Sequence, residues 1–443
     1  MANFQDSWGN ETTAATSQAV QRLDGAILAY CGMRLDIGDR MKTVFEIDAD
    51  MPMALAAKAA FLKMFATAKM DAAAAKTVDH LRTVIDQGEA TGRERLHLDA
   101  LTHWVAGDMS AACAVWDKLT VQFPRDLLAL KLAQLNRFYL GEPQAMRGSI
   151  ARALYAWDEC VPGYGYLLGS YAFALEEAGA YREAELAGRQ AIEHEAADVW
   201  AAHAVAHVME MQGRSEQGLG WLNHLKGNWD GVHNFKHHAH WHRALFALDL
   251  SQPDDVLAIY DADIWTEEAG DYLDISNAAS LLWRCEEEGI DVGARWHPIA
   301  DLSAERLGEH SLVFPICHFA MALAADGRGR DVEALIRAQD DHAEDHDDTF
   351  ARVWAAAGRN IALGVEAIRA DRPGQAVDYL LPVRDHIIQL GGSHAQRDLF
   401  ARMLLMAALA DGRVDLARAL VSERRARRPD ERFAQECLTK LDA

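Results

Sequence analysis

The residues with the most chemical content are two histidine pairs. His203 and His207 stand four apart in VWAAHAVAHVMEMQGR, and Glu210 follows three residues later. His238 and His242 repeat the four-residue spacing in HHAHWHRALFALDL. Residues three and four apart share one face of a helix. Each segment therefore aims two imidazoles one way, the first with a carboxylate beside them. Imidazole is the commonest protein ligand for Zn and suits Fe, Ni and Cu, and a carboxylate completes or orients such sites. His203, His207, His238 and His242 are accordingly expected to hold a divalent metal (Zn, Mn, Fe or Ni). HExxH is absent, so the metalloprotease template does not apply. The pairs sit in a local excess: nine of the 19 histidines fall between residues 194 and 242. Of these, His224, His233, His237 and His240 read as linker or surface residues. A competing reading makes the helical four neutral, hydrogen-bonded groups in a wet groove.

These residues must be positioned by helices. An apolar helical run, a small or polar break and a second Ala-rich amphipathic run recur along the chain. The breaks align at Gly107, Gly141, Gly179, Gly213, Ser251, Gly289, Gly327, Asp371 and Gly412, spaced 34 to 44 residues apart. A 34-residue helix-turn-helix period is that of tetratricopeptide repeats. There is no Asn-Gly hairpin and no sustained period-2 alternation, so no strand is expected. The predicted fold is all-α, a tetratricopeptide-like helical-hairpin solenoid (an α/α superhelix). Residues 1–95 form an N-terminal helical cap and residues 96–443 one continuous repeat array.

The register places side chains. His203 lies ten residues before its break, and His242, Ser280 and His318 each lie nine before theirs. First helices line the concave face of such stacks, so these four predict a polar ladder along an inner groove. Asp274 and Asn277 enter from LDISNAASLLWR, and Trp241 and Trp283 are expected as walls. In GGSHAQRDLF, Ser393 reads as an N-cap. His394 and Arg397 are expected either to close the groove or to form a capped helix start with an Arg-Asp pair. Glu210, His318 and Asp274 are the expected proton-transfer groups. Asn277, Trp241, Trp283, His394 and Arg397 are the expected substrate contacts. Glu423–Arg428 (ERRARR) reads as a solvated helix end.

Composition sets the outer limits. The 44 Lys and Arg against 67 Asp and Glu give a net charge of −23 over 443 residues. That charge repels phosphate and speaks against nucleic acid or an anionic membrane as partner. The six cysteines have no CxxC spacing, which fits a reducing cytoplasm better than a disulfide framework. MANFQDSWGNETT has neither the basic nor the apolar region of a signal peptide. Met51–Ala66 is too short to span a bilayer.

The quoted segments, with DSWG, YGYLLGSYAFALEEAGAYREAE, CHFAMALAADGR and GGSHAQRDLF, resemble the tetratricopeptide repeat protein 38 family, here as a bacterial member. The resemblance runs along almost the whole chain and implies an irregular tetratricopeptide-like solenoid. It implies no reaction. Two functions stay open: a His-rich pocket for a small molecule, with metal-assisted hydrolysis or proton transfer, and a concave scaffold for a peptide or protein.

Overall fold

A computed structural model describes residues 2–429 and 431–442. The chain is an all-α helical-hairpin solenoid preceded by a short β-hairpin. Strands β1 (Ala2–Gln5) and β2 (Glu11–Ala14) lead to α1 (Ser17–Cys31), α2 (Ile37–Ile47), α3 (Pro52–Lys63) and α4 (Ala68–Gln87). Among the described residues, nine helical hairpins follow. They are α5/α6 (Gly92–Val105, Met109–Gln122), α7/α8 (Leu127–Tyr139, Pro143–Ala153), α9/α10 (Tyr164–Glu177, Tyr181–His194) and α11/α12 (Val199–Met211, Ser215–Leu225). Next come α13/α14 (Phe235–Asp249, Pro253–Ile259), α15/α16 (Tyr272–Glu287, Trp296–Ala304) and α17/α18 (Val313–Ala325, Gly329–Asp345). After α19 (Thr349–Val353) come α20/α21 (Arg359–Arg369, Pro373–Leu380), α22/α23 (His394–Ala410, Val414–Arg427) and a last helix, α24 (Arg432–Asp442).

Each hairpin turns in the same way. All nine aligned breaks have positive φ, between 56° and 83°. One residue beyond each break, the amide donates to the carbonyl five residues back, as in Asp108 to His103 (3.0 Å), Ala180 to Leu175 (2.8 Å) and Arg413 to Ala408 (2.9 Å). This is the bond that closes a helix C-terminus around a left-handed residue. Glycine enters that conformation without a Cβ clash, which is why seven of the nine breaks carry it. Ser251 and Asp371 adopt it with a side chain, and each is followed two residues on by a proline that opens the next helix.

The chain forms two compact units. One runs to Val205 and includes Leu225–Lys236; the other comprises Ala206–His224 and the chain from His237 onward. Helix α11 passes through both, changing unit after Val205. Each unit has its own apolar core, with Trp116 fully buried in the first and Trp241 and Trp354 in the second.

The β-hairpin of unit one corrects the expectation of no strands. Its strands are only four residues long, and neither alternates: β1 is mostly exposed, whereas β2 is buried at three successive residues. Side chains hold it instead. Asp6 accepts the Trp8 and Asn10 amides at 3.0 and 2.8 Å, closing the DSWGN turn. Trp8 donates its indole N–H to the Pro162 carbonyl (2.8 Å), and Ser7 donates to Asp24 (2.6 Å). The DSWG segment is thus fixed within unit one.

In unit two the C-terminal hairpin bears on earlier helices. Arg284 of α15 donates to the Ala395 carbonyl (2.7 Å), and Arg402 of α22 pairs with Glu287 (2.8 Å). Arg432 donates to the carbonyls of Leu248 and Asp249 at the end of α13, at 3.1 and 3.2 Å. The ERRARR end is therefore only partly solvated. Arg425 and Arg427 are exposed, but Arg424 pairs with Asp398 (2.7 Å), and Arg428 lies 2.8 Å from Met211 Sδ. Among the described residues, no helix is long and apolar enough to cross a membrane.

Candidate metal centre

Helix α13 begins at Phe235, so the crowded histidines at 237, 238, 240 and 242 are all helical. At about 100° per residue they cannot share a face. His238 and His242 take one face, and His237 and His240, three apart, take another. This corrects the reading of His237 and His240 as linker residues: both are buried. The linker is the shorter GVHN stretch, which holds His233. The sequence cue that separates the two sets is helical phase.

Within unit two, the first face makes a cluster. His207, His238 and His242 are at most 3% exposed, and each offers a ring nitrogen within 4.8 Å of the others'. Ring centroids are 4.3 Å apart for His207 and His242 and 5.0 Å apart for His238 and His242. Trp241 stacks on His238 at 5.2 Å and meets His242 edge-on at 4.8 Å. Outer groups fix the tautomers. The Glu210 carboxylate lies 2.9 Å from His242 Nδ1, and the Asn277 amide oxygen 2.8 Å from His238 Nδ1. Both partners are acceptors, so each Nδ1 carries a proton and Nε2 is the ring nitrogen left to coordinate. Burial and the neighbouring His242 hold His238 down to about 3, so it stays neutral at physiological pH. Imidazoles whose Nδ1–H is held by a carboxylate or an amide oxygen are oriented as metal-binding histidines are. The arrangement can also serve as a hydrogen-bonded core.

His203 stands one turn before His207 on the same face of α11. It belongs to unit one by its surroundings, where its ring packs against Phe173, Trp200 and Phe235 at 5.1–5.5 Å.

Other expected residues are engaged elsewhere. Asp274 lies 3.0 Å from His237 Nδ1, and its second oxygen accepts the Gly270 and Asp271 amides at the start of α15. His318 donates Nδ1–H to the Phe314 carbonyl (2.9 Å) and packs on Phe314 and Phe400; burial holds it down to about 4. Trp283 donates to Glu287 (3.2 Å) and lies under the Arg369 guanidinium, 4.0 Å away. Ser393 does cap α22, in a reciprocal box with Gln396. His394 and Arg397 meet locally at 3.3 Å, and Asp398 pairs with Arg424 instead of forming an Arg397-Asp398 pair. The structure thus unites His207, Glu210, His238, Trp241, His242 and Asn277. One group escaped the sequence reading. Arg284, which is buried, lies over the Trp241 ring at 5.6 Å. Asn277, Ser280 and Arg284 share a helical face, and that spacing could have revealed it.

No family model matches the chain. Among solved structures it is similar to yeast Tom70 (13% identity, TM-score 0.36, covering 95% of this chain and 86% of that one). It is also similar to Naa15/Naa10 bound to HypK-THB (12%, 0.26, 94% and 65%) and to the TPR domain of P58(IPK) (12%, 0.23, 80% and 98%). At these identities and scores the likenesses carry no argument about fold or function. The chain's own nine uniformly closed hairpins make it a tetratricopeptide-like solenoid.

Proposed function

We propose that the chain is a repeat scaffold of the tetratricopeptide repeat protein 38 family whose inner helices hold one divalent metal ion, of the Zn, Mn, Fe or Ni class, in a reducing cytoplasm. His207, His238 and His242 are the ligands. The observation that carries this reading is the pinned tautomer pair: Glu210 and Asn277 each take an Nδ1–H, which leaves Nε2 as the lone-pair donor on His242 and His238. Glu210 then orients a ligand and does not act as general base. A bound ion supplies Lewis acidity for hydrolysis or proton transfer when a coordination position stays open. A second reading, a scaffold for a peptide or protein partner, draws on the repeat architecture itself. The contacts of Arg284, Arg402 and Arg432 across unit two favour an enclosed site over an open groove there.

Elemental analysis of protein purified without a His-tag tests the metal. The expected result is a stoichiometry near one per chain, lost in a His207→Ala/His242→Ala variant. A stoichiometry near zero, with unchanged melting on adding Zn, Mn, Fe or Ni, removes the metal and leaves the partner-binding scaffold.

A further inference from the structure

Unit one contains a second buried polar group, of a different kind. Lys131, on α7, is only 5% exposed, and its ammonium stands 4.2 Å over the Trp200 ring. Among the described residues it forms no ion pair. Burial lowers its pKa, and the acidic groups facing it, Cys31 and Asp198, act against that shift. Burial pushes the Cys31 thiol up to about 12, so it keeps its proton and supplies no counter-charge. Asp198 is 2% exposed. Its Oδ1 accepts the Trp200 and Ala201 amides at the start of α11, at 2.9 and 3.2 Å, whereas its Oδ2 is buried with no hydrogen-bond partner among the described residues. Burial pushes this carboxyl up to about 7 despite Lys131. The Trp200 indole N–H is likewise buried with no partner among the described residues. Gly169 makes room for the carboxyl: a Cβ there would lie 2.7 Å from Asp198 Oδ2.

A buried ammonium normally finds a carboxylate, because desolvation costs several kcal/mol that only pairing and hydrogen bonds recover. The indole face stabilises the cation but takes none of its hydrogen bonds. Two donors and one carboxyl oxygen are thus held together, lacking a common acceptor. The single cation suits a monoanion, and Phe173 and Phe235, each 5.0 Å from Trp200, suit an apolar body. We propose that Lys131, Trp200 and Asp198 form a binding site for a small carboxylic acid with an aromatic or short aliphatic body. Lys131 takes the carboxylate as its counter-ion, and Trp200 and Asp198 complete the hydrogen bonds. The site lies wholly in unit one, where His203 packs on the same aromatic rings.

Calorimetric and thermal-shift titration with benzoate and butyrate tests it. At least one should bind and raise the melting temperature. Lys131→Met should weaken that binding ~10–100-fold, the range for a hydrogen bond to a charged group. The same variant should fold at least as stably without ligand, since it replaces an unpaired buried charge with an apolar chain of similar length. Trp200→Phe keeps the ring under the cation, removes the N–H and should weaken binding several-fold, so it serves as a second probe. The proposal fails if neither acid binds at millimolar concentration, if both variants bind like the parent, or if chloride at equal concentration stabilises as much as the acids.

Discussion

Two buried polar clusters, one in each unit, are built on opposite principles. In unit one, Arg93 donates to Asp126 (2.6 Å) and Asp6 (2.9 Å), and His97 lies 2.9 Å from the same Asp126 oxygen. The other Asp126 oxygen caps α7 through the Ala129 amide (2.9 Å). Burial alone would raise the Asp126 carboxyl, yet Arg93 and His97 hold it well below the usual carboxylate range. Every charge here meets its opposite, and the network ties the N-terminal hairpin to α5. In unit two, His207, His238 and His242 gather like groups that would repel if protonated, with acceptors on the outside. Matched charges explain themselves as structure. Converging imidazoles call for a cation, which is why the second cluster is the candidate site.

That contrast can be broken at either end. The largest effect is expected at the first cluster. Arg93→Met strands Asp6 and Asp126 and should cost ~3–5 kcal/mol of unfolding free energy, measured by urea denaturation. A loss below ~1 kcal/mol would mean the network is not structural. At the second cluster, Zn at a hundred times its Kd should stabilise the parent by ~2.7 kcal/mol and the His207→Ala/His242→Ala variant not at all. Equal shifts in both proteins would move the metal elsewhere. Glu210→Gln should keep the fold and weaken metal binding by ~10–100-fold in a chelator competition; an unchanged affinity would leave Glu210 a bystander.

A separate effect is read as a slope with pH. The folded value of His318 lies below its unfolded one, so the unfolded chain binds more protons between about pH 6.5 and 4. The stability is present above pH 6.5 and is lost as pH falls toward 4, at up to ~1.4 kcal/mol per unit. His318→Leu should flatten that part of the stability-pH curve. A slope identical to the parent's would show that His318 is not the group responsible.

The fold was legible because each repeat announces its own end. Gly179 and Gly213 mark turns whose left-handed φ is a local steric matter, and the same marking located Ser251 and Asp371, where the proline two residues on supports it. The pairings His207 with Glu210 and His238 with His242 were legible for the same reason, since i,i+3 and i,i+4 spacing fixes a shared helical face. What each residue meets on a neighbouring helix was not. Asn277 faces His238 while Asp274, three residues earlier on the same helix, is taken by His237 and the α15 amides. Trp283 goes to Arg369, and Arg424 reaches Asp398 from 26 positions away. The N-terminal strands were invisible because hydrogen bonds from residues around 24, 94 and 162 hold them, not their own alternation.

By itself, the sequence determined the helices, their breaks, the all-α repeat fold and which imidazoles share a face, because these depend on steric preferences and spacing within a few residues. Only the tertiary structure decided which of those faces meet, which Nδ1 is held by an acceptor, and that Lys131 is buried over Trp200 with no ion pair among the described residues. Those outcomes depend on packing between distant helices and on the low dielectric it creates, where one acceptor gained or missing sets the protonation state of a side chain.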